Sequence, residues 1–109
     1  MLYTVYKTTN LVNNKEYIGF HSIKSMESIL CISSEYDSIF EDGYLGSGKF
    51  IKRALEKYGP QNMKQELLLV SDDKDEAESL ERELVNKEYV NRDDTYNIST
   101  GGPIVTGKQ

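Results

Sequence analysis

One carboxylate in this 109-residue chain occupies a position that needs explaining. The segment 74–89 carries six acids at Asp75, Glu76, Glu78, Glu81, Glu83 and Glu88. At about 100° per residue, Ala77, Leu80, Leu84 and Val85 form one helical stripe, and Glu81 falls inside it. Glu83 falls opposite, Glu76 and Glu78 lie on the flanks, and Glu88 reaches water at the end. A carboxylate inside an apolar stripe is costly unless it is paired, hydrogen-bonded or metal-bound. Glu81 is therefore a candidate metal ligand or acid–base group. It could equally sit at the stripe's edge or pair with a lysine from another helix. Tyr6 and Tyr17 are the second pair of note, in two β-rich runs separated by an Asn-rich turn. Their plainest reading is as half-buried strand aromatics. The stretch Tyr44-Leu45-Gly46-Ser47-Gly48-Lys49 invites a phosphate-loop reading. Lys49 is followed by Phe50, however, so the Ser/Thr that would ligate magnesium is missing, and no strand precedes the loop.

Composition bounds these readings. The chain is long enough for one domain with a modest core, and its charge balance is that of a globular protein. Cys31 is the single cysteine, which excludes an internal disulfide and any Cys-rich zinc cluster. That fits a reducing, intracellular setting. No apolar run approaches a membrane span, and no signal peptide precedes the first strand. The formal net charge is −5 and the pI about 4.9. A nucleic-acid binder usually presents a basic surface. For such a function, positive charge would have to be local, or come from a cation or another domain.

The elements that must position these groups follow from periodicity. Alternation predicts strands over 2–8 and 15–21, joined as a hairpin. Ile23, Met26, Ile29, Leu30 and Ile32 recur at roughly helical spacing, which predicts a helix over 24–32. Residues 33–38 read as a loop and Glu41-Asp42-Gly43 as a turn. Phe50, Ile51, Ala54, Leu55 and Tyr58 form the stripe of a helix over 48–58, with Ser47 as N-cap and Gly59-Pro60 as its end. Residues 65–71 read as a third, central strand. The acid-rich helix spans 74–89, capped by Asp73 or Asp75. Tyr96 to Pro103 reads as a short extended piece and a turn, and 104–109 as a flexible tail. The expected fold is a small α/β (α+β) domain with a three-stranded, mainly antiparallel sheet flanked by helices.

With these residues in place the chain resembles the GIY-YIG endonuclease family, most closely its phage homing-type, Seg-like members. The first motif stands as Thr4-Val5-Tyr6, with Thr replacing the usual Gly. The second is intact as Tyr17-Ile18-Gly19. Glu81 followed by Leu84-Val85 resembles the family's metal-binding helix, and Tyr96-Asn97 with Gly101-Gly102 its closing segment. The resemblance covers residues 3–102, so the nuclease domain would be 1–103. One departure stands out: residues 22–52 contain no arginine where the family places one, and the chain's arginines are Arg53, Arg82 and Arg92. His21, just after Tyr-Ile-Gly, would take over part of that role. The stretch 22–42 reads as an insertion.

The resemblance implies metal-dependent hydrolysis of a DNA phosphodiester, with Glu81 holding Mg²⁺ or Mn²⁺. Tyr6 would receive the proton of the attacking water, Tyr17 would orient that water, and His21 or Arg53 would stabilise charge on the phosphorane. Nearby positive charge would have to lower the Tyr6 pKa for this. Asn97 would fix the surroundings of Glu81 or contact phosphate. Lys24 and Lys49 would approach the substrate. The implied setting is the cytoplasm of a phage-infected cell, with a separate DNA-binding domain or partner protein supplying affinity. Two rivals stand beside this reading. One is a catalytically weakened nuclease-like fold acting as a nucleic-acid or protein binding module. The other is an ordinary interaction domain, in which Tyr6, Tyr17, His21, Glu81 and Asn97 would not converge.

Overall fold

The fold is taken from a computed structural model that describes residues 1–98. Two strands, β1 (Leu2–Asn10) and β2 (Glu16–Ile23), form the expected antiparallel hairpin, each longer than its periodicity predicts. Asparagines make the turn. The Asn10 side chain accepts the Val12 amide at 2.9 Å, and Asn14 adopts a left-handed φ of 62°, which Asn tolerates better than most residues. The sheet has four strands rather than three, in the order β2-β1-β4-β3 and antiparallel throughout. The long strand β4 (Met63–Ser71) lies beside β1. The short edge strand β3 (Ser33–Glu35) occupies a stretch that the sequence reads as loop.

The predicted helix at 24–32 is the largest departure. Only one 3₁₀ turn forms there, at Met26–Ser28. Ile29 instead bridges Phe40, and the Leu30 amide donates to the Ile39 carbonyl at 2.7 Å. The apolar residues that suggested a stripe divide: Ile23 is buried, while Met26, Leu30 and Ile32 are exposed. Their spacing was helical, but they share no buried face.

Helix α1 (Lys49–Tyr58) matches its prediction closely, though Gly48 rather than Ser47 is the N-cap. Helix α2 (Lys74–Leu84) is capped by Asp73, whose side chain accepts the Asp75 amide at 3.0 Å. It stops five residues short of the predicted 89. Asn86 accepts the Tyr89 amide and caps a new helix, α3 (Lys87–Val90). A side chain offering the backbone an alternative partner interrupts a helix in this way.

The sheet separates two layers. Val5 and Ile18 pack with Ala77, Val85 and Tyr89 from α2 and α3. On the other face Tyr6 packs with Ile23, Ile39 and Phe40, and Tyr17 contributes both to that group and to one around Ile51, Ala54 and Met63. Each fully buried side chain of this size contributes roughly 1.5–3 kcal/mol. The predicted turn after Ile98 and the tail at 104–109 lie outside the described residues. Among the described residues, no helix is long and apolar enough to cross a membrane.

Candidate active site

The hairpin brings the two phenols together over a residue without a side chain. Tyr6 faces Gly19 across the β1–β2 ladder. A Cβ at Gly19 would strike the Tyr6 hydroxyl and lie 2.7 Å from Tyr6 Cζ and 2.8 Å from Tyr17 Cε2. Glycine alone leaves space for both rings, whose centroids stand 6.3 Å apart. A third phenol, Tyr44, meets Tyr6 edge-on at 5.8 Å.

Tyr44 also lies flat on His21, with 3.9 Å between centroids and 7° between planes. His21 Nε2 is 2.9 Å from Asp42 Oδ2, while Asp42 Oδ1 accepts the Tyr44 amide at 3.0 Å. One carboxylate thus fixes both the imidazole and the segment stacked on it. Gln65, fully buried on β4, secures that segment to the sheet. Its Oε1 accepts the Ile39 amide at 2.7 Å and the Ser38 hydroxyl at 3.0 Å, and its Nε2 donates to the Tyr44 carbonyl at 3.1 Å. A buried amide satisfied at both ends costs little and specifies one arrangement.

Burial pushes the Tyr6 phenol well above its ordinary pKa, and the neighbouring Tyr44, Tyr17 and Glu81 push it further. Burial likewise raises Tyr17, with Tyr44 and Glu81 adding to it and Ser47 and the Gly48 amide partly offsetting it. Both phenols therefore feel Glu81, although α2 packs on the opposite face of the sheet from their rings. The direction of these shifts runs against Tyr6 acting as a proton acceptor in the protein by itself. At neutral pH both phenols are donors. The Tyr6 hydroxyl is buried and makes no well-formed hydrogen bond among the described residues. Such an orphan costs about 1–3 kcal/mol, which a ligand oxygen or water would recover.

Among the described residues, no group of three or more His, Cys, Asp or Glu is placed to hold a metal ion. Glu81 is a half-buried carboxylate that belongs to no such group. That suits Mg²⁺, which binds through one or two carboxylates and keeps several waters. It does not suit zinc, which takes three or four protein ligands.

Asn97 is buried, and its amide is held by the Ile18 backbone and, through Oδ1, by the Thr95 hydroxyl at 3.2 Å. Its Oδ1 accepts the Ile18 amide at 2.9 Å and its Nδ2 donates to the Ile18 carbonyl at 2.8 Å. It holds the edge of β2 between Tyr17 and Gly19, which leaves it poorly placed to touch phosphate. The other predicted residues scatter. Lys24 is exposed and lines a hollow with Phe40 and Asp42. Lys49 is the exposed first residue of α1. Arg53 is exposed on α1, its guanidinium 5.7 Å from the Phe50 ring, in a different cleft from the phenols. Asp42, Tyr44 and Gln65 were not singled out from sequence. Asp42-Gly43 reads only as a turn, and no spacing links it to His21.

Against this geometry, known proteins show a consistent likeness. Over 102 residues, 94% of the chain, the sequence is 42% identical to the segB protein of Enterobacteria phage T4 and 39% identical to its segD protein. The endonuclease names of both are provisional. The endonuclease segA of the same phage is 39% identical over 97 residues, 89% of the chain. Over most of its length this chain is similar to phage T4 proteins named as Seg endonucleases. The Seg-like chain spans about 40% of the length of those relatives. No protein-family model matches it, and no solved structure does.

Proposed function

We propose that this Seg-like chain is the catalytic part of a DNA endonuclease of the GIY-YIG type, hydrolysing phosphodiesters with Mg²⁺ or Mn²⁺ as cofactor. One observation carries the reading: Gly19 lets Tyr6 and Tyr17 meet at one place, on a sheet that also bears the half-buried Glu81 on α2. A divalent ion on Glu81 would neutralise phosphate charge and polarise the phosphorus–oxygen bonds. The chain's own groups do the positioning. Protonated Tyr6 and Tyr17 donate to a water or a phosphate oxygen. Tyr6 accepts a proton only where added positive charge offsets its burial. His21, stacked on Tyr44 beside Tyr6, is the competing acceptor, and with Nε2 taken by Asp42 it would act through Nδ1. His21 stands where the family's arginine would act. Asn97 holds the Tyr17–Gly19 backbone in register. Further affinity comes from a separate DNA-binding region or a partner protein.

The test is cleavage of supercoiled plasmid by the purified chain with Mg²⁺, with EDTA, and with Glu81→Ala. The nuclease reading expects cleavage in the first condition alone. Cleavage that survives in Glu81→Ala sinks the site assignment. The position of Arg53 away from the phenols favours the second reading, a nuclease-like fold that binds without cutting. DNA binding with no cleavage by the unmodified chain in any divalent cation would establish that second reading.

A further inference from the structure

The formal charge of −5 leaves open how an acidic chain would hold a polyanion. The described surface contains one local answer. A cleft of about 390 Å³ lies between the β1–β2 turn, α1 and the segment after α3. Three cations line it, Lys15, Arg53 and Lys57, and no lining residue is acidic. Each cation lies over an aromatic ring of the same cleft: Lys15 over Tyr96 at 5.8 Å, Arg53 over Phe50 at 5.7 Å and Lys57 over Tyr58 at 5.2 Å. The ion pairs formed among the described residues use Lys7, His21, Lys64, Lys74 and Arg92 instead. Three cations held near one another by rings rather than carboxylates keep their charge for an external anion. Lys side chains bound to carboxylates would not.

The cleft is also joined to the phenol cluster by α1. Gly48, the N-cap of α1, is packed against Tyr17, since a Cβ there would lie 2.9 Å from Tyr17 Cε1. From that end Lys49, Arg53 and Lys57 recur every four residues, which places them on one side of the helix. From Lys49 to Lys57 the helix rises about 12 Å. That corresponds to roughly three to four nucleotide steps at about 3.4 Å each. Resting on the nuclease reading, we infer that this cleft binds the sugar-phosphate backbone of the DNA strand a few nucleotides from the phenol site. Lys15, Arg53 and Lys57 neutralise phosphates there, and Arg53 serves in binding rather than at the scissile bond.

The test is fluorescence anisotropy of a labelled duplex in EDTA, titrated between about 50 and about 200 mM salt. The variants are Lys15→Gln/Lys57→Gln, the charge-preserving Lys15→Arg/Lys57→Arg, and Lys74→Gln/Lys87→Gln, which removes two exposed cations elsewhere. Losing two phosphate contacts lowers the slope of log K against log salt by roughly 1.8. The loss of affinity across that salt range should therefore shrink by roughly tenfold in the Gln cleft variant. The Arg variant should keep the wild-type slope, and the Lys74/Lys87 variant should change it little. An unchanged slope in the Gln cleft variant overturns the inference. So does an equal loss in the Lys74/Lys87 variant, or no binding by the wild-type chain. Plasmid cleavage by the same preparations separates the two claims. Cleavage with an unchanged slope removes the cleft and leaves the nuclease; the expected slope change without cleavage removes the nuclease and leaves the cleft.

Discussion

The phenol cluster and the cationic cleft are joined by α1, whose N-cap Gly48 packs against Tyr17, and are built in opposite ways. In the cluster, every ring has a fixed neighbour: Tyr44 lies on His21, Asp42 holds both, and Gln65 holds the segment that carries them. In the cleft, Arg53 and Lys57 are exposed and Lys15 half-buried; each rests on a ring at more than 5 Å, with no side-chain hydrogen bond of its own among the described residues. Chemistry needs reacting groups held to a fraction of an ångström, so it selects packed aromatics and buried amides. Backbone binding needs charge at approximate positions, which flexible surface chains supply. Substitutions should therefore act sharply in the first region and gradually in the second.

The largest effect expected from the rigid region is on Tyr17. Tyr17→Phe keeps the ring and removes the oxygen that would face water or phosphate. Its cleavage rate should fall by about 10²–10³-fold, the loss typical of one positioned donor, while losing the Ser47 and Gly48 contacts of the hydroxyl lowers stability by only about 1 kcal/mol. A rate within a few-fold of wild type would make Tyr17 a packing residue.

Gly19→Ala should cost both stability and activity. The added methyl overlaps Tyr6 and Tyr17, and overpacking of that kind costs about 1–3 kcal/mol. Thermal denaturation checks it, and a melt matching wild type would show that the rings can yield.

Tyr6→Phe should split the two properties. Removing the orphaned buried hydroxyl should stabilise the fold by about 1 kcal/mol. Cleavage should still fall sharply. A variant less stable than wild type would mean the hydroxyl has a partner beyond the described residues.

Asp42→Asn keeps the size of the side chain but frees the imidazole from its charge. A loss of about tenfold in the cleavage rate is expected, from an imidazole no longer held in place. A cleavage rate equal to wild type would show that Asp42 does not position His21.

The smallest effect is on stability at high pH. Tyr6, Tyr17 and Tyr89 are all raised in the fold, Tyr89 to about 12. A phenol raised in the folded state contributes stability that is complete below the unfolded value, about 10. That stability is lost as pH climbs through the folded values. Denaturation midpoints should hold steady to about pH 10 and then decline. An ultraviolet titration should show these phenolates forming late. A midpoint that rises above pH 10 would contradict the burial of these rings.

The sequence carried the rigid region only in part, and the reason is physical. Strands, α1 and the start of α2 announce themselves by periodicity, and Glu81 by its place in a stripe. Gly19 is visible as a motif, but its purpose appears only when Tyr6 faces it across the ladder. The stretch 24–32 misled because its apolar residues have helical spacing yet do not share one buried face: Ile29 bridges Phe40 while Met26, Leu30 and Ile32 are exposed. Asp42, Tyr44 and Gln65 act mainly through contacts 21 or more positions distant in the chain, such as His21–Asp42 and Ile39–Gln65. No local pattern encodes pairs of that kind. The cleft is hidden for the same reason: Lys15 and Lys57 meet only because the hairpin turn folds beside α1.

The most direct measurement of the central claim is the rate of plasmid cleavage in Mg²⁺ by the wild-type chain and by Glu81→Gln. This change keeps the side chain's shape but removes its negative charge. The account expects a loss of about 10³-fold or more, with DNA binding and the melting curve retained. A Glu81→Gln chain that cuts at the wild-type rate would contradict it.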